Sequence, residues 1–199
     1  MRVFSGRFVL HCVAALLAMI GLAGCSHATR KNDPGHHYKT DTGFTFQFPM
    51  AGEWFHGKPV KGQYLIGKEP TSDGSTSIVV VRHAPIWTPG GKPMTANELL
   101  DGFQKQIEAD SKAGRARQIK STFSRRKQAG ADCMFYQQMG QDLGPRGAMD
   151  LATEGMICLH PSHNNKFIWM AMSQRVPVGK KREDLSTDKA KLFSSLRFL

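Results

Sequence analysis

Acidic residues are scarce in this chain: 16 Asp and Glu stand against 27 Lys and Arg, giving a formal net charge of +11. The short motifs of common enzyme classes are missing too. There is no His-Glu-x-x-His, no Cys-x-x-Cys and no Gly-x-Ser-x-Gly elbow, and no Ser-x-x-Lys is expected in a helical setting. Those absences remove the usual signatures of zinc hydrolases, dithiol oxidoreductases and serine acyl transferases. Cysteine is limited to Cys12, Cys25, Cys133 and Cys158. From residue types alone, no catalytic residue, metal or cofactor is assigned.

What is present begins with the first hydrophobic run. Arg2 and Arg7 precede an apolar stretch from Phe8 to Leu22, which ends in Ala23 and Gly24. That is the three-part layout of a secretory signal, too short and too abruptly ended for a transmembrane helix. Leu22-Ala23-Gly24-Cys25 resembles the lipobox of bacterial lipoproteins. The resemblance implies that Cys25 becomes an acylated N-terminus once residues 1–24 are removed, with the chain held in the membrane by several acyl chains. Ser26 stands where Asp retains proteobacterial lipoproteins at the inner membrane. The resemblance therefore implies the outer membrane of a bacterial envelope, facing the periplasm. Ala23 and Gly24 would also suit simple cleavage without lipid.

Removing residues 1–24 takes away Arg2 and Arg7 and no acid, which lowers the formal charge from +11 to +9 over 175 residues. That length suits one domain. Residues 25–37 read as a flexible tether and 38–199 as a single globular domain. Across an envelope membrane nucleic acid is not an expected partner. An envelope protein or an anionic glycolipid is, besides the membrane itself, while the oligomeric state is unknown. Cys133 and Cys158 remain as an even pair in an oxidising compartment and read as a disulfide, with a redox or metal pair as the alternative.

Phe44, Phe46 and Phe48 alternate with Thr45 and Gln47, the period of a strand with one buried face. Gln63–Gly67 and the β-branched run Ser77–Val81 read as strands on either side of a turn at Thr71–Ser75. Thr95 and Glu98 form a capping box before Ala96, Leu99, Leu100, Phe103 and Ile107, which fall on one helical face. Residues 118–127 and 132–139 read as a hairpin, 140–147 as a Gly- and Pro-rich loop, and 149–159 with 166–173 as a second strand pair. A last helix spans 187–194. The stretch 84–93, with Trp87 between prolines, is unplaced and reads as a lid over the core or a partner contact.

Phe44-x-Phe46-x-Phe48-Pro49 with Trp54 beyond it, a meander, a helix, a longer meander and a C-terminal helix resemble the PsbP-like α/β/α sandwich. That fold occurs in photosystem II extrinsic proteins and in many small bacterial lipoproteins. The resemblance implies an α+β domain, with an antiparallel sheet of about six to eight strands packed by two main helices.

The feature with surface consequences is a run of Lys112, Arg115, Arg117, Lys120, Arg125, Arg126 and Lys127, with no acid between Ser111 and Ala131. It reads either as a solvated edge that charge protects from aggregation or as a contact for an anionic envelope surface. Lys180-Lys181-Arg182 adds a smaller group. His160 and His163 share a turn without an acid to complete a metal site, and Asp150 and Glu154 share a strand face. Three functions follow: a non-catalytic binding or accessory module on the membrane, a periplasmic immunity lipoprotein neutralising an interbacterial toxin, or an enzyme without a recognisable motif.

Overall fold

The computed structural model describes residues 30–31, 35–48, 53–56, 62–86, 94–113, 116–144, 147–163 and 165–199. Residues 1–24, Cys25 and Trp87 lie outside them. Strands β1 (Arg30–Lys31), β2 (His37–Lys39), β3 (Phe44–Gln47), β4 (Phe55–His56), β5 (Gln63–Gly67) and β6 (Thr76–Pro85) come first. Helix α1 (Ala96–Ala113) leads to the long strands β7 (Ala116–Gln128), β8 (Ala131–Gly144), β9 (Gly147–Leu159) and β10 (Lys166–Pro177). Helix α2 (Ser186–Ser194) and β11 (Arg197–Phe198) follow.

The main sheet has eight strands in the order β1-β4-β5-β6-β10-β9-β8-β7, and a three-stranded sheet has the order β11-β3-β2. Every strand pair is antiparallel. The α+β arrangement expected from the sequence, an antiparallel sheet packed with two helices, is the one present. The meander β7–β10 turns back so that β10 pairs with β6, which leaves β7 as the terminal strand.

Two layers cover the main sheet. On one face Leu100 and Ile107 of α1 pack with Met134, Tyr136, Ile157, Trp169 and Ala171. The expected capping box starts this helix: the Thr95 N–H and hydroxyl both donate to Glu98 Oε2 at 2.8 Å, and the Glu98 N–H donates to Thr95 Oγ1 at 3.3 Å. On the other face Phe44, Phe46, Phe48, Trp54, Met156, Met170, Leu192 and Leu196 form the larger cluster. Thr45 and Gln47 are half-buried between the fully buried phenylalanines, the alternation the pleat demands. Cys133 and Cys158 sit in this cluster, directly opposite one another on β8 and β9, with an S–S distance of 2.06 Å. Closing a loop of this size (sequence separation 25) stabilises a fold by about 3 kcal/mol on the chain-entropy model.

Three expectations change. The tether expected over 25–37 contributes backbone to both sheets: Arg30 and Lys31 pair with His56 and Phe55, and His37 pairs with Gln47. Strand pairing uses main-chain groups, so a polar composition does not forbid it. The loop expected at 140–147 is mostly ladder, because β8 runs to Gly144 and β9 begins at Gly147. The β7–β8 hairpin closes more tightly than expected, through Ala129 (φ 49°) and Gly130 (φ 81°), a two-residue turn with both φ positive.

Candidate functional site

The basic run of the sequence falls on β7 and divides between the two faces of the sheet. Phe123 packs with the α1-side cluster, and the neighbouring Arg125 guanidinium pairs with Asp101 of α1. Arg126 points the other way and lies 3.9 Å over the ring of Phe135, which belongs to the opposite cluster. Lys127 reaches Asp132 across the hairpin at 3.3 Å. Arg117 and Lys120 are exposed, with no ion-pair partner among the described residues. The side chains of Lys112 and Arg115 lie outside the described residues. Arg125 and Lys127 are therefore partly neutralised, but by partners 55% and 48% exposed, where an ion pair contributes about 1 kcal/mol or less. The edge keeps its positive charge.

A bulge between Gln118 and Lys120 shifts the β7–β8 register near the start of the strand. Bulges and Lys or Arg side chains are common means of keeping a sheet edge from pairing indiscriminately. This geometry supports the solvated-edge reading and the contact reading alike, because the same side chains remain available to an anionic partner.

A groove of about 240 Å³ lies between the middles of β8 and β9, the later half of β10 and the segment leading into α2. Gln137, Glu154, Gln174, Arg182 and Lys189 line it, with Met139 at its side. One ion pair lies within it. Lys189 Nζ lies 2.5 Å from Glu154 Oε1, and Gln137 Nε2 donates to Glu154 Oε2 at 3.0 Å. Ser186-Thr187-Asp188-Lys189 at the start of α2 is a Ser-x-x-Lys in a helix, contrary to expectation. The difference arises because the helix begins at Ser186, one residue earlier than its apolar pattern suggested. The spacing makes no nucleophile–base pair, since Lys189 is held by Glu154. The Ser186 hydroxyl and N–H both serve Asp184, holding its carboxyl below the ordinary carboxylate range. Sequence inspection missed the groove, although the Ser-x-x-Lys spacing after Asp184 was a readable signal for it.

Among the histidines, His160 is buried, with its ring 4.5 Å from His163 and 5.0 Å from Phe198. Its Nδ1 accepts the Ser162 N–H at 3.2 Å. Burial lowers its pKa, the nearby Gly43 backbone works against that shift, and the charges of His163 and Lys166 add to it. Among the described residues no three His, Cys, Asp or Glu converge on a point that could hold a metal. Lys180 reaches Asp73 at 3.5 Å, Lys181 is exposed and Arg182 turns into the groove, so the second basic group is dispersed. Asp150 and Glu154 do share a face, each bonded to a glutamine, Gln141 and Gln137.

The buried ion pair Arg175–Asp142, at 2.9 Å with side chains 10% and 4% exposed, was also not read from the sequence. It spans β10 and β8 across β9, on the α1 side of the sheet. Its partners are 33 residues apart, and each alone reads as a solvated strand residue.

No protein-family model matches this chain, and no curated protein matches it by sequence. Among solved structures it is similar to the solution structure of cyanobacterial PsbP (CyanoP) from Synechocystis sp. PCC 6803. The two share 16% sequence identity with a TM-score of 0.41, over 88% of this chain and 96% of that one.

Proposed function

We propose that the chain is a lipid-anchored envelope protein that acts as a non-catalytic accessory module, with the basic edge strand β7 as its contact surface. The observation that carries this reading is the placement of an acid-free basic run on the terminal strand of the sheet, where its side chains reach solvent on both faces. The lipobox-like Leu22-Ala23-Gly24-Cys25 supports anchoring through Cys25 and an outer-membrane location. Restriction to one membrane surface suits a protein that meets partners by charge, because contacts between exposed groups fade beyond a Debye length of about 8 Å. In the groove, Ser186 bonded to Asp184 and Lys189 paired with Glu154 support a non-catalytic role.

Two measurements test the proposal. Mass spectrometry of the protein from its native envelope is expected to show acyl chains on Cys25. Crosslinking in that envelope is expected to recover partners that Arg117→Glu/Lys120→Glu loses. These positions are chosen because Arg125 and Arg126 also hold Asp101 and Phe135. An unmodified Cys25, or equal recovery by the charge-reversed chain, overturns the reading.

A further inference from the structure

The ladder itself shows which main-chain groups of β7 face outward. Cys133 and Cys158 are direct partners with a Cα–Cα distance of 4.1 Å. Antiparallel partners stand about 4.5 Å apart where they are not hydrogen-bonded to each other and about 5.5 Å apart where they are. Cys133 therefore turns its N–H and C=O away from β9 and toward β7, where its partner is Arg126. From the bulge to the hairpin the register is continuous, so Thr122, Ser124 and Arg126 bond inward. Phe123, Arg125 and Lys127 turn their N–H and C=O away from the sheet. Among the described residues nothing bonds to these outward groups.

We infer that β7 is a strand acceptor: an acidic, extended segment of a partner protein adds to it as a ninth strand of the main sheet. This deepens the proposed function and rests on the basic edge being the contact surface. The outward N–H and C=O groups supply affinity that only a strand can satisfy, and side chains on alternate faces supply selection. The positive charge is arranged for that purpose. Lys120 and Arg126 lie on the α2 side of the strand and Arg125 on the α1 side, so successive acidic residues of an added strand meet charge on both faces. A second copy of this chain is a poor occupant, because it would set Lys and Arg against Lys and Arg across the new pair. Lipid headgroups would meet the charge but leave the backbone groups unpaired.

The test uses the full chain in neutral detergent and a labelled acidic peptide of about ten residues, in which Glu-Glu pairs separated by Val and Thr put acid on both faces of the strand. The same peptide N-methylated at every amide keeps the charge and loses the donors. The unmethylated peptide is expected to bind about tenfold or more tightly than the methylated one. On binding it should slow amide exchange at Phe123, Arg125 and Lys127 by about tenfold or more, while Thr122, Ser124 and Arg126 are already slow without it. Equal binding of both peptides, or binding without slowed exchange at those three amides, overturns strand addition and leaves β7 a generic anionic contact. The same slowing with phosphatidylglycerol vesicles but not with peptide would make it a membrane contact. No binding at about 1 mM peptide also overturns the inference; the crosslinking result then decides separately whether the basic edge has a partner.

Discussion

The two faces of the main sheet are buried by different means. One face is covered by α1, a single continuous segment whose apolar stripe can be read along the helix. The other is covered by β2, β3, α2 and β11, and its closure depends on contacts such as the Gln47 N–H to Ser195 Oγ at 2.8 Å, 148 residues apart. The first kind of cover is local and self-announcing. The second needs the chain to bring its distant parts together before any of them is buried, which makes it the more cooperative half of the molecule.

Phe46 tests that asymmetry most severely. It is fully buried among Tyr38, Phe44, Phe48 and Tyr64. Phe46→Ala should lower the unfolding free energy by about 3–5 kcal/mol, read from the urea midpoint at constant slope. It should also accelerate exchange in β3 and β11 together. On the α1 face Leu100→Ala should fall within about 2–5 kcal/mol, with faster exchange confined to α1. Exchange that spreads equally through both faces in both variants would dissolve the contrast.

Next comes the polar feature of the α1 face, the Arg175–Asp142 pair. Asp142→Leu alone leaves a guanidinium buried without its carboxylate, and about 3–5 kcal/mol of destabilisation is expected. Asp142→Leu/Arg175→Met removes both charges and should recover most of that loss. If the double variant is as unstable as the single one, the pair contributes through more than its charge.

A smaller effect is expected from pH at the mixed face. Burial lowers the pKa of His160, and likewise of His83, below the ordinary value of 6.5. The unfolded chain therefore takes up these protons first, and stability falls as pH drops below about 6.5, levelling once the folded-state pKa is passed. His160 packs on Phe198, so the C-terminal strand β11 should loosen first. His160→Gln should flatten the change in urea midpoint between about pH 7.5 and about pH 5.5. An unaltered pH dependence in that variant would assign the slope elsewhere.

Legibility in the sequence follows the same division. The Phe44-Phe46-Phe48 alternation, the Thr95–Glu98 box and the Leu100–Ile107 stripe are patterns within a few residues, and each predicts its own element. The pairing of β10 with β6, the strand at Arg197–Phe198 and the backbone contribution of Arg30–Lys31 depend on partners far along the chain, and no local pattern marks them. On β7 the sequence shows the charge but not the bulge between Gln118 and Lys120. It does not show that the strand is the last in the sheet, and that position is what turns a basic run into an edge.

The least costly change is the one that isolates the local half of the comparison. Thr95→Ala removes the hydroxyl that accepts the Glu98 N–H and donates to its carboxylate, at an exposed helix start far from the mixed face. A loss of about 1 kcal/mol is expected, visible as a lower urea midpoint with the slope unchanged. Hydrogen bonds from the Thr95 backbone and side chain hold the Glu98 carboxyl below its ordinary value of 4.5. Its contribution is therefore present above that value and lost as pH falls through the folded-state pKa. In Thr95→Ala that acid-side loss should shrink, while the decline assigned to His160 below about pH 6.5 stays as it was. If removing the cap altered the histidine-linked decline as well, the two faces would be coupled through the sheet, and α1 could not be treated as a local cover.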